Sequence, residues 1–121
     1  MLNYIQILQL VSFAMLMALG QILFKKTALS MSTNEALSLI EGITKAISTP
    51  WLYLALSVYA LATVFWLYIL QRIPLNLAYP FSALAMVIVP VLAMYLFGER
   101  LNLSYWLGLI FIVAGIVIIA H

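Results

Sequence analysis

Charged residues are scarce in this chain of 121 residues, at 7% of the sequence, and cysteine is absent. A soluble domain needs polar residues to cover its core, and a chain that is 68% hydrophobic has too few of them. The lack of cysteine excludes disulfides and thiolate sites, and the single histidine, His121, argues against a transition-metal site. We therefore expect a membrane protein with no metal, no other cofactor and no nucleic-acid partner.

The motifs of common enzymes are missing as well. The sequence has no Ser-His-Asp set, no metal-ligand spacing, no phosphate-binding glycine loop and no pair of carboxylates within an apolar segment. Its three acids, Glu35, Glu41 and Glu99, lie in or beside polar stretches. We predict that the protein has no catalytic residues and is not an enzyme.

Long apolar segments dominate what is present. Each is close to the roughly 20 residues that a membrane-spanning helix needs, and each is continuous rather than alternating, which favours helices over strands. The first lacks a basic start and a small-residue cleavage site, so we expect it to be retained as a span. The predicted fold is an all-α membrane protein, a single domain with four transmembrane helices at about 4–24, 51–70, 77–97 and 103–120.

A polar stretch separates the first two spans. Ser32 and Glu35 have the spacing of a capping box, and apolar residues then recur at helical intervals up to Ile47. We predict a short amphipathic helix at about 33–48, lying in the membrane interface. It would serve either as a lid over a cavity or as a simple connector.

Several polar side chains fall within the predicted spans. Gln6 and Gln9 share one helical face, Gln21 follows later in the same span, and Tyr59 and Thr63 share a face of the second span. Such groups either bond to a neighbouring helix or line a polar cavity, and both interpretations remain open.

The end of the first span and the third span carry further candidates. Lys25 follows Gln21 near the expected membrane boundary, where a lysine either snorkels to the surface or binds a ligand. Pro80 and Pro90 each remove a helical hydrogen bond, so we expect kinks there, which would improve packing or open a cavity.

Three motifs together carry a resemblance to a known family. They are Gly20-Gln21 followed by Lys25, the run Pro-Leu-Asn-Leu-Ala-Tyr-Pro at 74–80, and Phe-Gly-Glu-Arg-Leu at 97–101 before a last helix containing Gly115. The chain resembles the four-helix drug/metabolite transporter superfamily, whose members include EamA-like and small multidrug resistance proteins. The best likeness is to flippase subunits for aminoarabinose-phosphoundecaprenol. At the position of the essential glutamate of multidrug exporters this chain has Met17.

The resemblance implies a flippase subunit of the bacterial inner membrane that moves an undecaprenyl-phosphate-linked monosaccharide between leaflets. Such a lipid needs a cation for its phosphate, hydrogen-bonding groups for its sugar and an apolar groove for its tail. Lys25 is our first candidate for the phosphate and Arg72, on the opposite side, the second. The candidates for the sugar are Gln21, Tyr59, Tyr79 and Ser82. The alternatives are a small-molecule or drug exporter of the same superfamily, or a non-transporting subunit that stabilises a glycosyltransferase.

The basic residues predict an orientation. The first and third connections carry Lys25, Lys26, Lys45 and Arg100, whereas the second carries only Arg72. By the positive-inside rule, the first and third loops face the cytoplasm and both termini face outward. Four helices leave little room for an enclosed passage, so we expect a dimer surrounded by membrane lipids. A single orientation leaves a parallel homodimer, a heteromer with a related four-helix subunit or a monomer, and we favour the heteromer because inverted halves open to both sides.

Overall fold

The computed structural model describes residues 2–31 and 38–120, and throughout this part of the chain the regular secondary structure is helical, without strands. The prediction of an all-α membrane protein is confirmed. The elements in chain order are α1 (Tyr4–Met31), α2 (Leu39–Ser48), α3 (Pro50–Leu70), α4 (Leu75–Ala78), a 3₁₀ segment (Tyr79–Leu84), α5 (Ala85–Phe97) and α6 (Leu103–Ala120). Four helical stretches are long and apolar enough to cross a membrane: α1, α3, α6 and the stretch Leu75–Phe97.

Helix α1 is the centre of the fold. It packs most extensively against α3 and also contacts α5 and the 3₁₀ segment. Within its most apolar window, 39% of the residues are buried, against 11% for each of the last two spans. Asn3 and Gln6 begin the helix with a reciprocal cap, in which Gln6 N–H donates to Asn3 Oδ1 at 2.8 Å and Asn3 N–H donates to Gln6 Oε1 at 3.2 Å.

Two groups of buried residues hold α1 to its neighbours. The larger group joins α1, α3, α4, the 3₁₀ segment and α6, and Phe13 of α1 stacks on Trp66 of α3 with ring centroids 4.6 Å apart. The smaller group is Leu23, Ala55 and Val58, toward the other end of the α1–α3 contact. Much of the remaining apolar surface is exposed, as expected for helices whose outer faces meet lipid.

Helix α2 is short, amphipathic and capped. Glu41 N–H donates to Ser38 Oγ at 3.2 Å, and Ser38 N–H donates to Glu41 Oε2 at 3.4 Å. This capping box has the Ser-x-x-Glu spacing that also occurs at Ser32 and Glu35, but that pair lies outside the described residues, as do positions 33–37 of the predicted helix. The four isoleucine and leucine side chains of α2 are all at least half exposed, so no described part of the chain covers its apolar face: Leu39, Ile40, Ile43 and Ile47.

The third span changes helix type at Pro80. After one turn of α4 the chain becomes a 3₁₀ helix over Tyr79–Leu84, and it returns to α-helix at Ala85. Proline lacks the N–H that would bond to the carbonyl of Asn76, so the change follows from its chemistry. Pro90 lies inside α5, which continues as α-helix through it.

Helix α6 is the most loosely held span. It contacts the 3₁₀ segment and, more sparsely, α5. Gly98 ends α5 with φ 68°, a left-handed conformation that glycine adopts without a steric penalty. Asn102 then caps α6, because its Oδ1 accepts a hydrogen bond from Tyr105 N–H at 2.9 Å.

Candidate functional site

A hydrogen bond inside the helical bundle joins two of the predicted site residues. Gln21 Nε2 on α1 donates to Tyr59 Oη on α3 at 2.7 Å. The Tyr59 ring also packs against Phe24, with ring centroids 5.0 Å apart. The bond leaves the amide carbonyl oxygen of Gln21 without a hydrogen bond to any described residue. A polar group is therefore available beside the helix contact.

Gly20 makes the close approach of the Tyr59 ring possible. A Cβ atom on Gly20 would lie 2.5 Å from Tyr59 Cε2 and 2.9 Å from Cδ2, closer than carbon atoms pack. The ring therefore lies across α1 at a position where no residue with a side chain fits without moving it. Gly20, Gln21 and Tyr59 form one unit, which we call the amide–tyrosine contact.

One helical turn beyond this contact, Lys25 forms an ion pair. Its Nζ lies 3.5 Å from Glu99 Oε1 in the loop between α5 and α6, and both side chains are about half exposed. The rise of four residues places Lys25 about 6 Å along the axis from Gln21. This ion pair was not predictable from the sequence, because Lys25 and Glu99 are far apart in the chain.

Lys26 has a different environment. Its Nζ lies 4.7 Å from the centroid of the Trp51 ring at the start of α3. Nearby, Tyr53 Oη donates to the carbonyl of Ile47, which ties α3 to the end of α2. Of the two adjacent lysines, Lys26 thus contacts the aromatic ring at the start of α3. Lys25 instead pairs with the half-exposed carboxylate of Glu99, whose place another anion could take.

A cavity of about 610 Å³ lies beside the amide–tyrosine contact. Gln21 lines it from α1, and the first half of α6 also contributes to its lining. The lining residues from α5 are Ala85, Met86, Val89 and Pro90. Most of its lining is apolar, and the polar side chains in it are those of Gln21, Ser104 and Tyr105. This volume and this mixture of groups are typical of sites for small ligands. Sequence reasoning did not select Tyr105, which reaches the site because α6 lies beside the 3₁₀ segment and α5.

A second cavity, of about 740 Å³, lies along α1 between α1 and α5. Its lining is apolar except for Ser12, and it reaches Ile22, the residue next to Gln21. Ile22 lies ten positions after Ser12, a rise of about 15 Å along the helix. The two cavities therefore meet α1 at neighbouring residues but differ in polarity.

The other predicted site residues lie apart from this cluster. Arg72 follows the far end of α3, where its guanidinium carbon is 4.4 Å from the centroid of the Tyr68 ring. Leu70 lies eleven positions after Tyr59 in the helix, a rise of about 16 Å, so Arg72 does not share the Gln21 site. Tyr79 is 66% exposed in the 3₁₀ segment, and the Ser82 hydroxyl donates to the Tyr79 carbonyl at 2.6 Å. Neither residue lines the cavity of Gln21.

Two of the polar groups left open by the sequence have local partners. The Thr63 hydroxyl donates to the Tyr59 carbonyl at 2.8 Å, and the Gln6 side chain is used in the cap of α1. Gln6 and Gln9 are half-buried and line none of the cavities described above. The packing interpretation therefore suits these residues, whereas Gln21 both bonds across helices and lines a cavity.

Comparison with known proteins gives a family match over the whole chain. The sequence profile of the EamA-like transporter family matches residues 1–121. The probable 4-amino-4-deoxy-L-arabinose-phosphoundecaprenol flippase subunit ArnE of Proteus mirabilis (strain HI4320) is 30% identical over 108 residues, which is 88% of this chain and 89% of that protein. No solved structure matches the chain.

Proteins of the same name from two other bacteria match over a shorter region. The Escherichia coli O81 (strain ED1a) protein is 46% identical over 69 residues, 57% of this chain and 62% of that protein. The Pseudomonas fluorescens (strain Pf0-1) protein is 33% identical over 73 residues, 60% of this chain and 64% of that protein. The chain thus spans less than two thirds of the length of these two relatives.

Proposed function

Because this chain belongs to the EamA-like transporter family, we propose that it is a flippase subunit that moves an undecaprenyl-phosphate-linked monosaccharide across the bacterial inner membrane. It is a multi-pass membrane protein with four apolar helices of spanning length. Its relatives bear the name of a flippase subunit for such a lipid, one that carries 4-amino-4-deoxy-L-arabinose. The role is transport rather than covalent chemistry, and the lipid named for the relatives is the one with which we test it.

The observation that carries the proposal is the position of Lys25 one helical turn from the Gln21 cavity. A lipid-linked sugar phosphate has its anion directly beside its sugar, so its protein site needs a cation within a few ångströms of hydrogen-bonding groups. Lys25 Nζ supplies a compact positive charge, and Gln21 supplies an amide at the cavity wall. The apolar cavity that reaches Ile22 suits the first isoprene units of the tail.

The ion pair with Glu99 is compatible with phosphate binding. Partly exposed pairs of this kind contribute about 0–1 kcal/mol, so a phosphate can replace the carboxylate at little cost. Glu99 would then keep Lys25 neutralised while no substrate is bound. A proton-coupled exporter would instead need an acid within a span, and the acids of this chain are at positions 35, 41 and 99, between the spans.

The charge distribution suggests how the chain is oriented, and the packing of α6 suggests how it assembles. We propose that the first and third loops face the cytoplasm, which places the Lys25 site at the cytoplasmic leaflet. We further propose that the working unit is a heteromer with a related four-helix subunit, because the loosely held α6 leaves the cavity open on one side within a single chain.

Lipid retention by matched variants tests the proposal. We expect mass spectrometry of the purified protein to detect a glycosylated undecaprenyl phosphate, and we expect Lys25→Ala to reduce its retention about tenfold, the effect of losing one charge-assisted contact. Lys26→Ala removes the same charge one residue away and should retain the lipid. Lys25→Arg should be milder than Lys25→Ala, because the charge matters more than the shape.

Either of two results would contradict the assignment. One is equal retention by the Lys25→Ala and Lys26→Ala proteins, which would remove Lys25 from the site. The other is the recovery of ordinary phospholipids alone, which would favour a structural or small-molecule role.

A further inference from the structure

The first turn of α6 forms one wall of the 610 Å³ cavity, across from Gln21. We propose that Tyr105 on this turn, together with its neighbour Ser104, contacts the sugar of the lipid-linked substrate and makes the site select glycosylated over sugar-free lipid. This inference rests on the proposed function. It assigns a binding role to α6, a helix that carries none of the candidate site residues named from the sequence.

Tyr105 is held in place by its backbone while its side chain is free to bind. Its N–H donates to Asn102 Oδ1 at 2.9 Å, and Trp106 N–H donates to the Asn102 carbonyl at 3.2 Å. The Tyr105 side chain is 45% exposed, and its hydroxyl has no hydrogen bond to the described residues. A tyrosine side chain has only two χ angles, so it loses little conformational entropy when its hydroxyl binds a ligand.

The opposite wall offers complementary groups. Gln21 uses its Nε2 to bond to Tyr59, so its carbonyl oxygen remains as an acceptor. The hydroxyls of Ser104 and Tyr105 both donate and accept. A sugar carries hydroxyl groups around a ring with apolar C–H faces, and the cavity presents polar groups from α1 and α6 together with apolar side chains from α5. A purely apolar ligand would leave the polar groups on both walls without partners.

Gly108 leaves the lining of the cavity near Tyr105 without a side chain. Gly108 lines the same cavity three residues after Tyr105, and a Cβ atom built on it meets no heavy atom within 4 Å. A larger residue there would extend into the cavity. Lys25, one turn from Gln21, lies at the end where the attached phosphate would emerge.

The test compares two lipids on the full chain in lipid nanodiscs: undecaprenyl phosphate and the same lipid bearing 4-amino-4-deoxy-L-arabinose. We expect the wild-type protein to prefer the glycosylated lipid, and Tyr105→Phe, which removes one oxygen atom, to reduce that preference about fivefold, the effect of one lost hydrogen bond. Binding of undecaprenyl phosphate should not change. Tyr95→Phe is the matched control, since Tyr95 on α5 is 77% exposed and outside the cavity lining.

A second pair of variants tests the space rather than the hydroxyl. Gly108→Leu should abolish the preference for the glycosylated lipid, whereas Gly115→Leu, two turns further along α6 and equally open, should leave it intact. The inference would be overturned if Tyr105→Phe and Gly108→Leu both kept the wild-type preference. It would also be overturned if the wild-type protein bound the two lipids equally, and in either case Lys25 would remain a phosphate site. If the wild-type protein binds neither lipid, the proposed function itself fails.

Discussion

The close approach of Tyr59 to Gly20 gives a prediction that depends on geometry alone. In Gly20→Ala, the new methyl group would lie 2.5 Å from Tyr59 Cε2, so the ring must swing away from α1. Phe24 packs beside the ring and restricts this movement. The shift would also break the 2.7 Å hydrogen bond from Gln21.

The expected cost combines three effects. Overpacking in a well-packed contact costs about 1–3 kcal/mol, and the lost hydrogen bond adds about 1 kcal/mol. Replacing glycine by alanine within a helix returns up to about 1 kcal/mol. We therefore expect Gly20→Ala to lower the free energy of unfolding by about 1–3 kcal/mol, measured by reversible unfolding in mixed micelles.

Two comparisons isolate the cause. Gly115→Ala is the control, because a Cβ atom there meets nothing within 4 Å, and we expect this variant to be as stable as the wild-type protein or slightly more stable. In a Tyr59→Ala background the ring is gone, so Gly20→Ala should cost nothing. A cost that is the same with and without the Tyr59 ring would refute the reasoning, as would a cost equal to that of Gly115→Ala.

Two further predictions concern α2 and the orientation. Spin labels placed along Leu39–Ser48 should alternate between lipid and water with the helical period of about 3.6 residues, because one face of α2 is apolar and not covered by the described chain. Uniform water exposure would exclude an interfacial helix. Single cysteines introduced beside Arg72 and beside Arg100 should differ in their labelling by an impermeant reagent: in intact cells the site beside Arg72 should label and the site beside Arg100 should not. Equal labelling of both sites from outside would indicate dual topology and contradict the argument from charge.

The fold was predictable from composition, and its interior was not. Four apolar segments of spanning length can form little except helices in a membrane, so the number of spans and the fold class follow directly. The beginning of α2 was harder to place, because the Ser-x-x-Glu spacing occurs twice within ten residues and the structure shows a cap at Ser38 and Glu41.

The candidate site was predictable only in part. Gln21 and Tyr59 attracted attention because each is polar within an apolar span, and the structure joins them. Glu99 and Tyr105 did not, since their roles arise from contacts between helices that are distant in sequence. Tyr79 and Ser82 have suitable chemistry but lie in the 3₁₀ segment and outside the Gln21 cavity. The sequence alone indicates which polar side chains lie within apolar spans, whereas the packing of the helices decides which of them contact one another.

Leaflet translocation in proteoliposomes tests the central claim most directly. The assay lipid is undecaprenyl phosphate carrying 4-amino-4-deoxy-L-arabinose, the lipid named for the relatives. The measured quantity is the rate at which it becomes accessible to a membrane-impermeant amine reagent. We predict faster translocation with this chain and a related four-helix subunit than with protein-free liposomes, and a rate near that background when the chain carries Lys25→Ala. A background rate with the wild-type chain, both alone and with the related subunit, would contradict the account.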